Sequence, residues 1–110
     1  LNNWYWERTT NADARYHEKS VAVLAARARQ AFFEYNPLPL SGDDPERVYR
    51  SVPLGPLVEV FALDMRTYKS ANGENRQTSM DASSAIFGAA QLAWLKGALK
   101  NSRATWKIVA

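Results

Sequence analysis

Cysteine is absent from the 110 residues of this chain, and histidine occurs once, as His17. Without cysteine there can be no disulfide, no thiolate nucleophile and no thiolate-bound metal. A single imidazole cannot form a two-histidine metal motif, and it supports a Ser-His-Asp arrangement only where it faces a cleft. His17 lies in a helical pattern, so we interpret it as a half-exposed helix residue. By itself the chain therefore has few of the groups that metal-dependent or nucleophilic catalysis requires.

Long apolar runs and clusters of one charge are missing as well. The apolar stretch 57–63 is interrupted by Glu59 and is far too short to cross a bilayer, so no membrane span is predicted. The net charge is +3, and basic residues alternate with acidic ones along the chain. Nucleic-acid-binding surfaces usually gather positive charge into a stripe, so we expect no nucleic-acid partner.

The first part of the chain carries a helical pattern. Apolar residues recur at steps of three or four positions, which predicts one helix with a single apolar face. We expect it to begin near Ala12 or Asp13, with Thr10 or Asn11 as its N-cap. It should end at Asn36, because Asn36 precedes a proline and is therefore disfavoured in helical geometry.

A hairpin is predicted in the middle of the chain. Two strands, 47–52 and 57–63, flank a proline- and glycine-containing turn at 53–56. The second strand is almost continuously apolar, which is typical of a strand deep in a sheet. A long polar segment, 67–81, follows, and segments of this length are usually functional or disordered.

A second helix and a third strand complete the pattern. The helix is predicted at 85–100, capped by Ser83 or Ser84, and the strand at 105–110. Strand 57–63, this helix and strand 105–110 form the unit that builds parallel sheets in α/β proteins. We therefore predict an α/β fold with two helices packed on a small mixed sheet of about three strands.

Two features could carry a site. Asp64 and Arg66 directly follow the buried strand, and ligands of open α/β sheets bind beyond the carboxyl ends of strands. An ion pair that holds the loop is the alternative interpretation of these two residues. The aromatic residues Trp4, Tyr5 and Trp6 could stack on bases or sugars, although core packing or a subunit contact is the commoner use of such a cluster.

Strings of residues along the whole chain add a further signal: Asn2–Glu7, Ala14–Tyr16 with Lys19-Ser20 and Ala28–Tyr35, Arg50–Val52 with Gly55–Tyr68, Gly88 with Gln91–Lys96, and Ala104–Val109. In order and spacing they resemble the PhoD-like alkaline phosphatases/phosphodiesterases of the metallophosphoesterase superfamily. Leu63–Tyr68 is similar to the Leu-Asp-x-Arg-x-Tyr signature of that family.

The resemblance implies a hydrolase of phosphate mono- and diesters, built as a two-sheet α/β sandwich around a metal centre of iron and calcium. Such enzymes are exported, so it implies a periplasmic or extracellular parent protein. It also implies that Asn2 or Asn3 supplies a metal or phosphate contact and that Asp64 and Arg66 lie near the site. The loop from Asn72 to Asp81 would then either border the cleft or form a solvated surface.

The departures from the family pattern lead to a second set of expectations. The Asp-Asp-His-Glu ligand motif of the family would precede Leu1, and a Ser-Asp ligand motif would follow Ala110. We therefore expect residues 1–110 to be one segment, the central part of a catalytic domain and a partial metallophosphoesterase-type sandwich. Alone, it should be inactive, bind no iron or calcium, and self-associate through exposed apolar faces. The alternative is a non-enzymatic α/β protein-interaction module with the aromatic N-terminal residues as its binding patch.

Overall fold

A computed structural model describes residues 1–74 and 76–110 and confirms the predicted α/β class. In chain order the described residues form helix α1, strands β1 and β2, a short 3₁₀ turn, helix α2 and strand β3: Val21–Tyr35, Arg50–Leu54, Val58–Ala62, Ala82–Ser84, Gly88–Asn101 and Trp106–Val109. In this part of the chain neither helix has the length and apolarity that a bilayer crossing requires.

The three strands form one mixed sheet in the order β1-β2-β3. β1 pairs antiparallel with β2, and β2 pairs parallel with β3, which confirms both the hairpin and the β-α-β crossover. The predicted turn at 53–56 is wrong in its first half, because β1 extends to Leu54, which pairs with Val58. Pro53 is tolerated in β1 because β1 is an edge strand and needs no second row of hydrogen bonds.

β1 also starts later than predicted, at Arg50 instead of residue 47. The Arg50 side chain folds back, so that its Nε donates to the carbonyl of Val48 at 2.9 Å and its Nη2 to that of Arg47 at 3.3 Å. These two carbonyls are thereby satisfied without a partner strand.

The predicted start of the first helix is wrong. α1 begins at Val21, with Ser20 as its N-cap, and it ends at Tyr35 with Asn36 as its C-cap, as expected. Thr10 caps nothing; it is buried, and its Oγ1 donates to the carbonyl of Glu18 at 2.8 Å. Residues 9–20 therefore form a loop closed at its base, and His17 lies exposed in that loop instead of in a helix.

The predicted start of the second helix is also wrong. Ser83 and Ser84 belong to the separate 3₁₀ turn, whose N-cap is Asp81. α2 begins at Gly88, where φ is +70°, a value incompatible with continuous right-handed helix. The end of α2 at Asn101 agrees with the sequence prediction.

The core lies between the sheet and α2 and is largely aromatic. Phe61 of β2 is fully buried, and Tyr49, just before β1, is nearly so. Trp94 of α2 packs on both, with ring centroids 4.9 Å from Tyr49 and 6.5 Å from Phe61. Tyr68 adds an edge-to-face contact with Tyr49 at 5.7 Å. These contacts fix the loop that follows β2 against α2.

Candidate functional site

The loop after β2 is shaped by Asp64. Its Oδ1 accepts the backbone N–H groups of Arg66 and Thr67, each at 2.9 Å, which makes a tight turn of the Asx type. The ion pair between Asp64 and Arg66 considered as an alternative is wrong, since the ion pairs in the described ranges involve other residues. Asp64 thus fixes the turn from which the Arg66 side chain extends.

Gln91 of α2 holds this loop through hydrogen bonds to the Asp64 backbone. Its side chain is 1% exposed; its Oε1 accepts the Asp64 N–H at 2.7 Å, and its Nε2 donates to the Asp64 carbonyl at 2.9 Å. The same Nε2 donates to the Phe87 carbonyl at 3.0 Å. A buried side-chain amide with its donors and acceptor satisfied gives a well-defined position to the backbone it holds.

Asn3 lies at the other side of the loop. Its φ is +50°, in the left-handed region that asparagine tolerates better than most residues. Arg66 Nη1 donates to Asn3 Oδ1 at 3.3 Å, and Asn72 Nδ2 donates to the Asn3 carbonyl at 2.8 Å. Arg8 Nη1 donates to the carbonyls of Asn2 and Asn3 at 2.7 and 3.2 Å. The structure thus brings Asn2, Asn3 and Arg66 together.

Six residues form this group, which we call the Asn3 cluster: Asn2, Asn3, Arg8, Arg66, Lys69 and Asn72. The Nζ of Lys69 joins it through a hydrogen bond to Asn72 Oδ1. Three of the six side chains are cationic, and none is acidic. Each guanidinium has five N–H donors in a planar fork that suits phosphate oxygens. The arrangement is chemically suited to an anion.

The described residues do not fit a metal centre. Across residues 1–74 and 76–110, no three or more histidine, cysteine, aspartate or glutamate side chains converge where they could hold an ion. Asn3 Oδ1, the amide oxygen that could serve as a ligand, lies 3.3 Å from the Arg66 guanidinium. A second positive charge at that oxygen would be repelled by the first. The Asn3 cluster therefore favours an anion over a cation.

A cavity of about 480 Å³ lies beside the cluster, and we call it the tryptophan cavity. Its walls come from the N-terminal segment, α1 and the loop after β2, and they include Trp4, Trp6, Leu24, Ala28, Phe32 and Met65. Arg29 also lines it; its guanidinium lies 5.8 Å from the Trp6 ring centroid and pairs with Glu46 at 2.6 Å. The aromatic N-terminal residues are thus partly internal.

A sequence model of the PhoD-like phosphatase family matches residues 1–110, the whole length of the chain. The chain belongs to the PhoD-like phosphatase family. Neither the curated proteins nor the solved structures that were compared give a match. PhoD-like phosphatases are in general metal-dependent and exported, and membership supports a hydrolase that acts on phosphate esters.

Sequence reasoning missed Arg8, Lys69 and Gln91 of this PhoD-like chain. Arg8 and Lys69 have no periodic or motif signal, since their role depends on which backbone comes near them. Gln91 had one signal, a polar residue beside the apolar stripe of α2. Of the long loop, Asn72 belongs to the Asn3 cluster, whereas residues 76–83 are exposed; Asn75 lies outside the described residues.

Proposed function

We propose that residues 1–110 are the central part of the catalytic domain of a metal-dependent phosphatase/phosphodiesterase, and that the Asn3 cluster contacts the phosphate of the ester. The carrying observation is the convergence of Arg66 and Arg8 on Asn3 in a chain that belongs to the PhoD-like family. Asp64 supports the site as a positioning residue, because its side chain shapes the turn that presents Arg66.

The charge balance of the cluster supports a phosphate contact. A phosphate monoester carries up to two negative charges, and the cluster offers three cationic side chains. Arg8 uses one nitrogen on the carbonyls of Asn2 and Asn3, which leaves its other N–H groups available for an anion. The backbone contacts hold the guanidinium in place before the ligand arrives, so less side-chain entropy is lost on binding.

The metal ions of the parent enzyme would be bound by residues outside the Asn3 cluster. We propose that iron and calcium, the metals implied by the family resemblance, are bound in the parent protein chiefly by other residues. Asn2 or Asn3 would supply at most one additional ligand. In phosphate-ester hydrolysis such ions clamp the phosphoryl oxygens and lower the pKa of a bound nucleophile. The chain alone is then inactive. The parent protein would act in the periplasm or outside the cell.

A titration with inorganic phosphate, followed by NMR, tests the phosphate contact. Replacement of Arg66 by Met should weaken phosphate binding about fivefold or more, because one charged contact is worth on the order of 1–3 kcal/mol. Arg103→Met is the matched control, since Arg103 is exposed and lies between α2 and β3. Equal phosphate affinities for both variants and the unsubstituted chain would refute the contact.

Self-association is a separate proposal that rests on β3. All four residues of this edge strand are exposed, and Trp106, Ile108 and Val109 are 67%, 48% and 51% exposed. An exposed apolar strand edge recruits other chains. We expect a concentration-dependent mass in sedimentation equilibrium, and a monomer mass at all concentrations would count against it.

The alternative, a non-enzymatic interaction module, receives less support. It needs Trp4, Tyr5 and Trp6 as an exposed patch, but all three are partly buried and both tryptophans line the tryptophan cavity. It would gain support if the Arg66 variant left phosphate binding unchanged and an indole of this segment proved necessary for a protein partner.

A further inference from the structure

The tryptophan cavity and the Asn3 cluster are interleaved along the chain. Leu1 and Trp4 line the cavity, and Asn2 and Asn3 lie between them. Met65 and Thr67 line it as well, and Arg66 lies between those two. Neighbouring Cα atoms are about 3.8 Å apart, so the backbone of Asn2, Asn3 and Arg66 borders the cavity.

The size and surface of the cavity suit a small organic group. Its volume of about 480 Å³ is within the range of ligand pockets, roughly 300–1,000 Å³. The walls are mainly indole, phenyl and aliphatic surface. Among the described residues that line it, Arg29 is the cation and Asp64 the carboxylate. Arg29 is paired with Glu46 at 2.6 Å and is therefore a weak competitor for an anion, and Asp64 Oδ1 accepts the backbone N–H groups of Arg66 and Thr67. An amphipathic anion would thus place its charge at the rim and its apolar part inside.

We propose that the tryptophan cavity receives the apolar, preferably aromatic, organic group of a phosphate ester whose phosphate lies on the Asn3 cluster; this inference rests on the phosphate contact proposed above. The substrate class would then be phosphate esters of aromatic or compact aliphatic alcohols. Esters of sugars would be disfavoured, because their hydroxyl groups would lose water without gaining hydrogen bonds from the aliphatic and phenyl walls at Leu24, Ala28 and Phe32.

Binding of three probes to the full 110-residue chain tests this inference: inorganic phosphate, 1-naphthyl phosphate and 1-naphthol. We expect 1-naphthyl phosphate to bind about tenfold or more tightly than either of the other two, since it alone has both parts. In NMR spectra the indole N–H signals of Trp4 and Trp6 should shift with it, and that of Trp106 on the sheet edge should not.

Substitutions that fill the cavity test the contact with the organic group separately from the contact with the phosphate. Ala25 lines the cavity, whereas Ala26, its neighbour on α1, is exposed and does not. Ala25→Leu should weaken 1-naphthyl phosphate binding about tenfold and leave inorganic phosphate unchanged, and Ala26→Leu should change neither. If Ala25→Leu does not fold, Ala28→Leu fills the same cavity from the next turn of the helix and replaces it.

The outcomes separate this inference from the phosphate contact. If inorganic phosphate binds in an Arg66-dependent manner but 1-naphthyl phosphate binds no more tightly, the inference is wrong and the phosphate contact stands. If 1-naphthol binds as tightly as 1-naphthyl phosphate, the inference is wrong, and if inorganic phosphate also fails to bind in an Arg66-dependent manner, both proposals fail. Equal effects of Ala25→Leu and Ala26→Leu would also overturn the inference.

Discussion

Arg66 Nη1 lies 3.3 Å from Asn3 Oδ1, which joins two residues 63 positions apart in the chain. Arg66 follows the central strand of the sheet, and Asn3 belongs to the aromatic N-terminal segment. The contact places the N-terminal segment at the carboxyl end of β2, where ligands of open α/β sheets bind. The position of the Asn3 cluster thus depends on how firmly the loop after β2 is held.

Asp64 provides the first test of that dependence. Asp64→Ala removes the acceptor of the Arg66 and Thr67 N–H groups and should lower the free energy of unfolding by about 1 kcal/mol. Asp64→Asn keeps an oxygen at the same position and should cost less than Ala. The measurement is urea unfolding together with amide exchange of Arg66 and Thr67. Equal stability and equal exchange in the two variants would contradict the role of Oδ1.

Substitution of Gln91 should lower the free energy of unfolding far more than substitution of an exposed glutamine. Gln91→Leu leaves the partly buried N–H and carbonyl of Asp64 without their Gln91 partners and should cost about 2 kcal/mol in the free energy of unfolding. Gln30→Leu makes the same chemical change on the exposed face of α1 and should stay within about 0.5 kcal/mol. Urea unfolding of both variants checks this, and a similar loss in both would exclude a special role for Gln91.

Two glycines of α2 should respond to alanine in opposite directions. Gly88 has φ +70°, and a Cβ there would lie 2.9 Å from Tyr68 Cβ, so Gly88→Ala should destabilise the fold by about 1–3 kcal/mol. Gly97 meets nothing within 4 Å, and Gly97→Ala should stabilise it by about 0.5–1 kcal/mol. Thermal unfolding of the two variants is the measurement. A stabilised Gly88→Ala would show that the start of α2 differs from this description.

The acid behaviour of Asp13 follows from its contact with Arg15. A side-chain hydrogen bond from Arg15, with Nη2–Oδ2 at 2.7 Å, lowers the pKa of Asp13 from 3.8 to about 2. A depressed pKa in the folded state means that this contact stabilises the fold fully above pH 3.8 and loses that effect as the pH falls through 2. Carbon-13 NMR of the carboxyl group should show the pKa rise toward 3.8 in Arg15→Met. The control Arg27→Met should leave it unchanged, and a pKa near 3.8 in the unsubstituted chain would contradict the contact.

The sequence was informative about the sheet because its signals there are local. The apolar run of β2, the turn at Gly55 and the spacing to β3 determine the hairpin and the parallel crossover, and both strand pairings agree with the structure, although the turn is shorter than predicted. The predicted helix starts were wrong because contacts and backbone conformations that are not visible in the local sequence decide them. Thr10 and Ser84 have the right side chains for caps, but the pairing of Thr9 with Ser20 and the conformation of Gly88 decide the outcome.

The site was predictable only in part. The position of Asp64 and Arg66 after a buried strand indicated where to look, and the family resemblance added Asn2 and Asn3. Arg8 and Gln91 act through hydrogen bonds to backbone carbonyls and amides of residues distant in sequence. Such contacts produce no periodicity or spacing pattern in the sequence, so they can be identified only in the folded chain.

Above all, we propose that this PhoD-like chain contacts phosphate but does not itself assemble the metal centre. The direct measurement is the metal content of the purified chain after exposure to iron and calcium, with hydrolysis of nitrophenyl phosphate assayed on the same sample. We predict well under one ion per chain after dialysis and no metal-dependent turnover. One tightly held iron or calcium ion per chain, with turnover that a chelator abolishes, would contradict this and place the metal centre within these residues.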